Sequence, residues 1–198
     1  MGAELGDRSA LQRPPRLSRP SSWLGWQAHR IRPGLRVLDL ACGEGRHSIA
    51  AAELGAVVTG IDRDPEKLER AGRRAAEAGL TIRWLEVDLE AQWPELGSFD
   101  AVLVFNYLDR ANMPRILQLV ATGGVLVMET FLQAQRAAGW GPTADEHLLR
   151  PGELARLVRP LTVVFGREVV ETVDASRWRA VASIVAHRSP AYNHLIAK

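Results

Sequence analysis

From residue 36 onward the chain repeats one pattern: a short apolar run, a turn rich in glycine or acid, then a stretch whose apolar positions recur at helical spacing. The first run, Arg36 to Leu40, predicts a strand. A helix from about Arg46 to Leu54 follows, stopped by Gly55. Ala56 to Ile61 is the next strand, and Asp64-Pro65-Glu66 opens a helix running to Ala78 and Gly79, with Asp64 as N-cap and Pro65 in the first turn. Thr81 to Val87 and Phe99 to Phe105 are two more strands, the second apolar enough to be covered on both faces. Met113 to Val120 predicts a helix with Asn112 as its cap, and Gly123-Gly124 leads into a strand over Val125 to Thr130. Pro151-Gly152-Glu153 opens a helix that ends near Pro160. Leu161 to Glu171 and Trp178 to His187 then read as a hairpin turning at Asp174-Ala175-Ser176. Ahead of all these, Trp23 to Ile31 predicts a short amphipathic helix ended by Pro33-Gly34, its tryptophans packed against the body. Repeated strand-helix units with a terminal hairpin predict an α/β fold: a doubly wound, mainly parallel sheet with an antiparallel strand at or near one edge.

Composition narrows the setting. The 198 residues, 46% hydrophobic and 24% charged, suit one domain with one substantial core, expected over 23–198. Residues 1–22 carry Arg8, Arg13, Arg16 and Arg19 among Pro14, Pro15 and Pro20, and read as a mobile basic arm. A net charge of +2, with arginines scattered among glutamates, is not the footprint of a nucleic-acid binder. The single cysteine, Cys42, allows no disulfide within the chain and no cysteine metal site, which fits a reducing cytoplasm. No apolar run reaches membrane-span length and no secretory signal opens the chain. The histidines show no metal-ligand spacing and no Walker-type phosphate loop is present, so no metal is expected.

The sharpest chemical signal is Val37-Leu38-Asp39-Leu40-Ala41-Cys42-Gly43-Glu44-Gly45-Arg46, followed by a second strand ending at Asp62. Two glycines permit a tight turn and leave backbone bare for a ligand; an acid about 20 residues beyond, at the next strand's end, can accept from both hydroxyls of a ribose. A dinucleotide site wants a third glycine, absent here, since Arg46, His47 and Ser48 follow Gly45. Asp39, upstream of the turn, offers nothing to a pyrophosphate but favours a cofactor bearing an ammonium and a sulfonium. The balance tips toward S-adenosylmethionine. A nicotinamide-dependent oxidoreductase and a non-catalytic cofactor-binding protein stay open as alternatives, and tight NADH binding would restore the first.

The motif resembles that of the class I S-adenosylmethionine-dependent methyltransferases, acid-x-Gly-x-Gly-x-Gly, with Asp39, Gly43 and Gly45 matching and Ala41 in place of the first glycine. Alanine at that place leads to the expectation that no positive φ is needed there. The resemblance implies a Rossmann-like sheet of seven strands and S-adenosylmethionine as cofactor. It also implies that Asp62 holds the ribose hydroxyls, Asp88 accepts from the adenine amino group, the Leu89 N–H meets a ring nitrogen, and Phe105 and Asn106 lie beside the methionine portion. Arg63 would lie across the adenine. A second likeness, carried by Phe105-Asn106-Tyr107-Leu108, Gly123 to Phe131 and Leu148 to Leu154, is to the tellurite-resistance (TehB-like) methyltransferase group. Those enzymes methylate small soft nucleophiles or oxyanions, but the chain departs from them over Gln133 to Glu146 and in its terminal hairpin. For the acceptor side the expected residues are Tyr107, Glu129, Trp140, His147 and Arg150, with Glu129 orienting a nucleophile and Arg150 attracting an anion. A small-molecule substrate is expected. A protein or RNA substrate reached through a partner subunit is the rival within the enzyme class, and oligomeric state is left open.

Overall fold

The computed structural model describes residues 19–190. The expected arm therefore lies outside the described residues through residue 18. Its last two residues belong to the body: Ser21 is buried and caps the first helix, α1 (Ser22–Gln27), accepting from the Trp23 N–H at 3.1 Å. A 3-10 turn over Ala28–Arg30 continues it. Trp23 is fully buried, whereas Trp26 is 58% exposed, contrary to the expectation that both pack inward.

Seven strands form one sheet in the order β3-β2-β1-β4-β5-β7-β6. They are β1 (Arg36–Leu40), β2 (Val57–Asp62), β3 (Arg83–Glu86), β4 (Phe99–Phe105), β5 (Val120–Phe131), β6 (Thr162–Asp174) and β7 (Arg177–His187). The first five run parallel; β7 pairs antiparallel with β5 and β6 with β7, so the hairpin closes one edge as expected. The helices are α2 (Arg46–Glu53), α3 (Pro65–Glu77), α4 (Met113–Gln118) and α5 (Glu153–Leu157). Asp64 caps α3 as predicted, accepting from the Lys67 N–H at 3.1 Å.

Alternate residues of the central strands feed two cores, one on each face. Leu38, Val102, Val104, Leu126 and Met128 pack with Met113, Ile116 and Leu154 on one side. Val37, Ala101, Leu103, Phe105 and Val127 pack with Trp23, Leu24, Ala51 and Ala52 on the other. This double burial makes the strand sequences continuous apolar runs. Where the elements differ from expectation, pairing explains it. The Leu119 carbonyl accepts from the Phe99 N–H at 2.7 Å, so Val120 joins the sheet rather than the helix. The register then jumps from Phe99–Val120 to Ala101–Val125, making β5 far longer than its apolar stretch. β3, at the opposite edge, is shorter than predicted and only half-buried.

Candidate functional site

The turn after β1 is built from left-handed residues. Ala41, Gly43 and Gly45 have φ of 54°, 57° and 72°. Alanine therefore does adopt the positive φ it was expected to make unnecessary. The surrounding bonds hold it there, with the Cys42 N–H reaching the Ile61 carbonyl at 2.8 Å and the Gly45 N–H reaching the Cys42 carbonyl at 3.0 Å. The two glycines do different things. A Cβ on Gly43 would meet no protein atom within 4 Å and would enter open space. A Cβ on Gly45 would come 2.6 Å from Trp84 Cη2 and 2.9 Å from Ala71 Cβ. Gly45 thus starts α2 and seats it against α3 and β3, and it is absent from the lining of the adjoining cavity.

That cavity, of about 600 Å³, opens over the carboxyl ends of β1, β2 and β4 and brings together Ala41, Gly43, Asp62, Arg63, Asp88, Leu89, Phe105, Asn106, Tyr107, Trp140 and His147. At one end Asp62, nearly buried, accepts from the Gly43 N–H (2.7 Å) through one carboxylate oxygen and from the Asp64 N–H (3.0 Å) through the other. Each oxygen keeps a lone pair for a further donor. Arg63 pairs with Glu90 at 3.2 Å along this end, and Asp88 is exposed, its carboxylate accepting from the Glu90 N–H at 3.0 Å.

The other end is aromatic. Asn106 takes a φ of 56°, and its N–H donates to the Glu129 carbonyl at 2.9 Å. The Tyr107 hydroxyl donates to Asp109 at 3.2 Å; burial and that carboxylate push its pKa up, which keeps it protonated. Trp140 donates from Nε1 to the Trp178 carbonyl at 2.9 Å and sets its ring edge to Phe131, so the hairpin fixes this wall. His147 is exposed at the rim. Arg110 holds the segment bearing it, donating to the Glu146 carbonyl (2.8 Å), the Leu148 carbonyl (2.7 Å) and the Glu153 carboxylate (2.7 Å).

Besides Gly45, three expected residues are placed outside the cavity lining. Arg150 is exposed and outside the cavity lining, its backbone N–H donating to Glu153 at 2.8 Å. Glu129 is fully buried and outside the lining too. It accepts from Ser21 Oγ (2.6 Å) and Ser183 Oγ (2.8 Å) and pairs with Arg179 (3.0 Å) and Arg167 (3.4 Å). A carboxylate so occupied anchors α1 to the hairpin and has no free lone pair aimed at a nucleophile. Asp39 lies under the turn, 1% exposed; Ser48 Oγ donates to one of its oxygens at 2.6 Å and the other has no partner. Burial raises its pKa to about 7.

Sequence reasoning missed Arg46 and His47, which line the cavity from the start of α2, and Ser21, which touches His47. Their positions next to Gly45 were a usable signal for the first two. Cys42 is buried and its thiol is pushed to a higher pKa by burial, which leaves it unreactive. Among the described residues no cluster of histidine, cysteine and acid side chains could hold a metal, and no helix is long and apolar enough to cross a membrane.

The site fits S-adenosylmethionine. The open face of Gly43 gives backbone room and Asp62 keeps lone pairs for a further donor. Residues 37–124 match the methyltransferase domain family. An uncharacterized protein of Mycobacterium tuberculosis is 55% identical over 73 residues, which is 37% of this chain and 27% of that protein. The ubiquinone biosynthesis O-methyltransferase of Methylocella silvestris is 35% identical over 148 residues, 65% of this chain and 58% of that protein. The chain thus spans between about a quarter and three fifths of these relatives. Among solved structures, TehB from Haemophilus influenzae superposes with a TM-score of 0.73 at 17% identity, covering 86% of this chain and 63% of that one. Over residues 37–124 the sequence thus matches the methyltransferase domain family, and the chain shares the fold of TehB.

Proposed function

We propose that this protein transfers a methyl group from S-adenosylmethionine to a small-molecule nucleophile, acting in the cytoplasm as a single domain that includes Ser21 and Ser22. The observation that carries the reading is the continuity of the cavity: the cradle around Gly43 and Asp62 opens directly into a chamber walled by Tyr107, Phe131, Trp140 and His147. Its volume of about 600 Å³ falls within the range of small-ligand sites. Asp62 would hold the ribose, Asp88 and Leu89 the adenine, and Phe105 and Asn106 would flank the methionine portion. When bound, the cofactor supplies a methyl group on a sulfonium, open to in-line displacement. The chain's part is alignment and exclusion of water, which aromatic walls provide. With Glu129 sealed in the interior, the described residues put no carboxylate at the aromatic end of the cavity to act as a strong base. That favours acceptors already nucleophilic near neutral pH, such as a thiol, a chalcogen oxyanion or a small organic acid. The name of the Methylocella relative, an O-methyltransferase of ubiquinone biosynthesis, agrees with a small organic acceptor.

Calorimetry with S-adenosylhomocysteine and NADH, on the wild type and Asp62→Ala, tests the cofactor. Homocysteine-product binding that collapses in the variant supports the reading and makes selenite, tellurite and thiols the first acceptors to try. NADH binding in its place overturns it.

A further inference from the structure

His47 is the second residue of α2, 3% exposed, yet it contributes to the cavity lining. Its ring lies on that of Phe105 with centroids 3.9 Å apart and planes 25° from parallel. Its Nε2 stands 3.1 Å from the backbone nitrogen of Ser21. A backbone amide can only donate, so Nε2 must present its lone pair, and in a neutral imidazole the proton then sits on Nδ1. The ring is held neutral: burial, with Arg46 and Arg179 nearby, lowers its pKa well below the ordinary histidine value. Among the described residues Nδ1–H finds no protein acceptor, and it is not sealed in the interior either; the sealed, unpartnered side-chain atoms are Trp23 Nε1 and Asp39 Oδ1.

The geometry points to His47 as a ligand-binding residue: a fixed, neutral Nδ1–H donor presented to an anionic oxygen in the cavity, with its tautomer set by the Ser21 amide of the N-terminal segment. A fixed donor that finds no protein acceptor and opens on a cavity marks where a ligand's acceptor can dock. Arg46, adjacent on the same turn and lining the same wall, adds positive potential that favours a carboxylate or oxyanion over a neutral oxygen. The oxygen belongs either to the cofactor's amino-acid carboxylate or to an anionic acceptor. This inference rests on the methyltransferase reading for the identity of the ligand but not for the tautomer.

The test is calorimetry on the wild type, His47→Phe and His47→Asn with two nucleosides: S-adenosylhomocysteine, and 5′-methylthioadenosine, which lacks the amino-acid group. Phenylalanine keeps the stack on Phe105 without a donor; asparagine can place an N–H near the Nδ1 position. A cofactor role predicts that His47→Phe weakens S-adenosylhomocysteine about ten- to a hundredfold, leaves methylthioadenosine unchanged, and that asparagine restores much of the loss. An acceptor role predicts unchanged nucleoside binding, with benzoate or selenite affinity for the S-adenosylhomocysteine complex lost in phenylalanine and regained in asparagine. Either pattern supports the assignment. Equal weakening of both nucleosides, or no change in any ligand, overturns it and leaves His47 a packing residue. Nitrogen-15 NMR of labelled histidine in the wild type decides the tautomer separately, and a proton on Nε2 would refute it. A wild type that binds neither nucleoside is a failure of the methyltransferase reading, and the NMR result still stands or falls alone.

Discussion

Replacing Glu129 by glutamine separates a structural carboxylate from a catalytic one. The side chain keeps its shape, but the charge that holds two guanidinium groups is gone. Arg179 sits 3.0 Å and Arg167 3.4 Å from the carboxylate, at 8% and 14% side-chain exposure, and the remaining acid in the cluster is Glu171. Removing one partner of a buried pair costs about 3–5 kcal/mol, because the other charge remains desolvated. For a chain of this size each kcal/mol shifts the melting temperature by about 2–4 °C, so Glu129→Gln should melt roughly 6–20 °C below the wild type. Circular dichroism melts provide the shift. S-adenosylhomocysteine titration well below the variant's transition should give an affinity within about threefold of wild type, since Glu129 does not line the cavity. Adding Arg179→Met to Glu129→Gln should recover part of the loss, the signature of coupling within one cluster. A variant that melts with the wild type but loses turnover would refute the reasoning and return Glu129 to the chemistry.

The two motif glycines should fail differently. Gly45→Ala, driving a methyl into Trp84, should cost about 2–5 kcal/mol in urea unfolding. Gly43→Ala should cost only about 1–2 kcal/mol, yet weaken S-adenosylhomocysteine more than tenfold in calorimetry, because its methyl enters the cavity. Asp39 supplies a pH dependence. Its folded pKa of about 7 lies above the unfolded 3.8, so the folded state keeps a proton that the unfolded chain has lost. Stability from this group is fully present below about pH 4 and falls by up to about 4 kcal/mol as pH rises to about 7. Urea midpoints of Asp39→Asn, set against wild type across that range, should lack this fall, and parallel profiles would exclude it. Arg110→Met should raise amide hydrogen exchange between Trp140 and Leu148 while leaving nucleoside binding intact, because the carbonyls it holds belong to the chamber wall and not to the cradle.

The parallel strands, the terminal hairpin and the turn after β1 were readable because their signals are local. A buried parallel strand announces itself as an apolar run, and the glycine turn and the acid at the end of the following strand are brought together by the Gly43 N–H donating to Asp62. What escaped depends on partners far along the chain. Glu129 looks like a strand-end acid over a pocket, but its character is set by Arg167, Arg179 and Ser183, all contributed by the hairpin. Ser21 looked like the tail of a basic arm because nothing near it in sequence says that Glu129 and His47 await it. Ala41 misled for the opposite reason: a residue's own preference for negative φ was weighed, while the surrounding hydrogen bonds that override it were not visible. The hinge between Val120 and Val125 was hidden in the same way, since only pairing with β4 reveals that β5 begins before its apolar stretch.

The position of β7 between β5 and β6 also sets the order in which the molecule can be completed during synthesis. β6 emerges first but reaches the sheet only through β7, which is made after it. Ser183 and Arg179, which complete the surroundings of Glu129, arrive with β7, as does the Trp178 carbonyl that steadies Trp140. The turn around Gly43 and Asp62, made from residues before β5, can form on the nascent chain, whereas the wall at Trp140 and the seat of α1 must wait for β7. A ribosome-stalled chain ending before β7 should therefore be a cradle without a chamber: a species that can engage the nucleoside before it is able to enclose anything to be methylated.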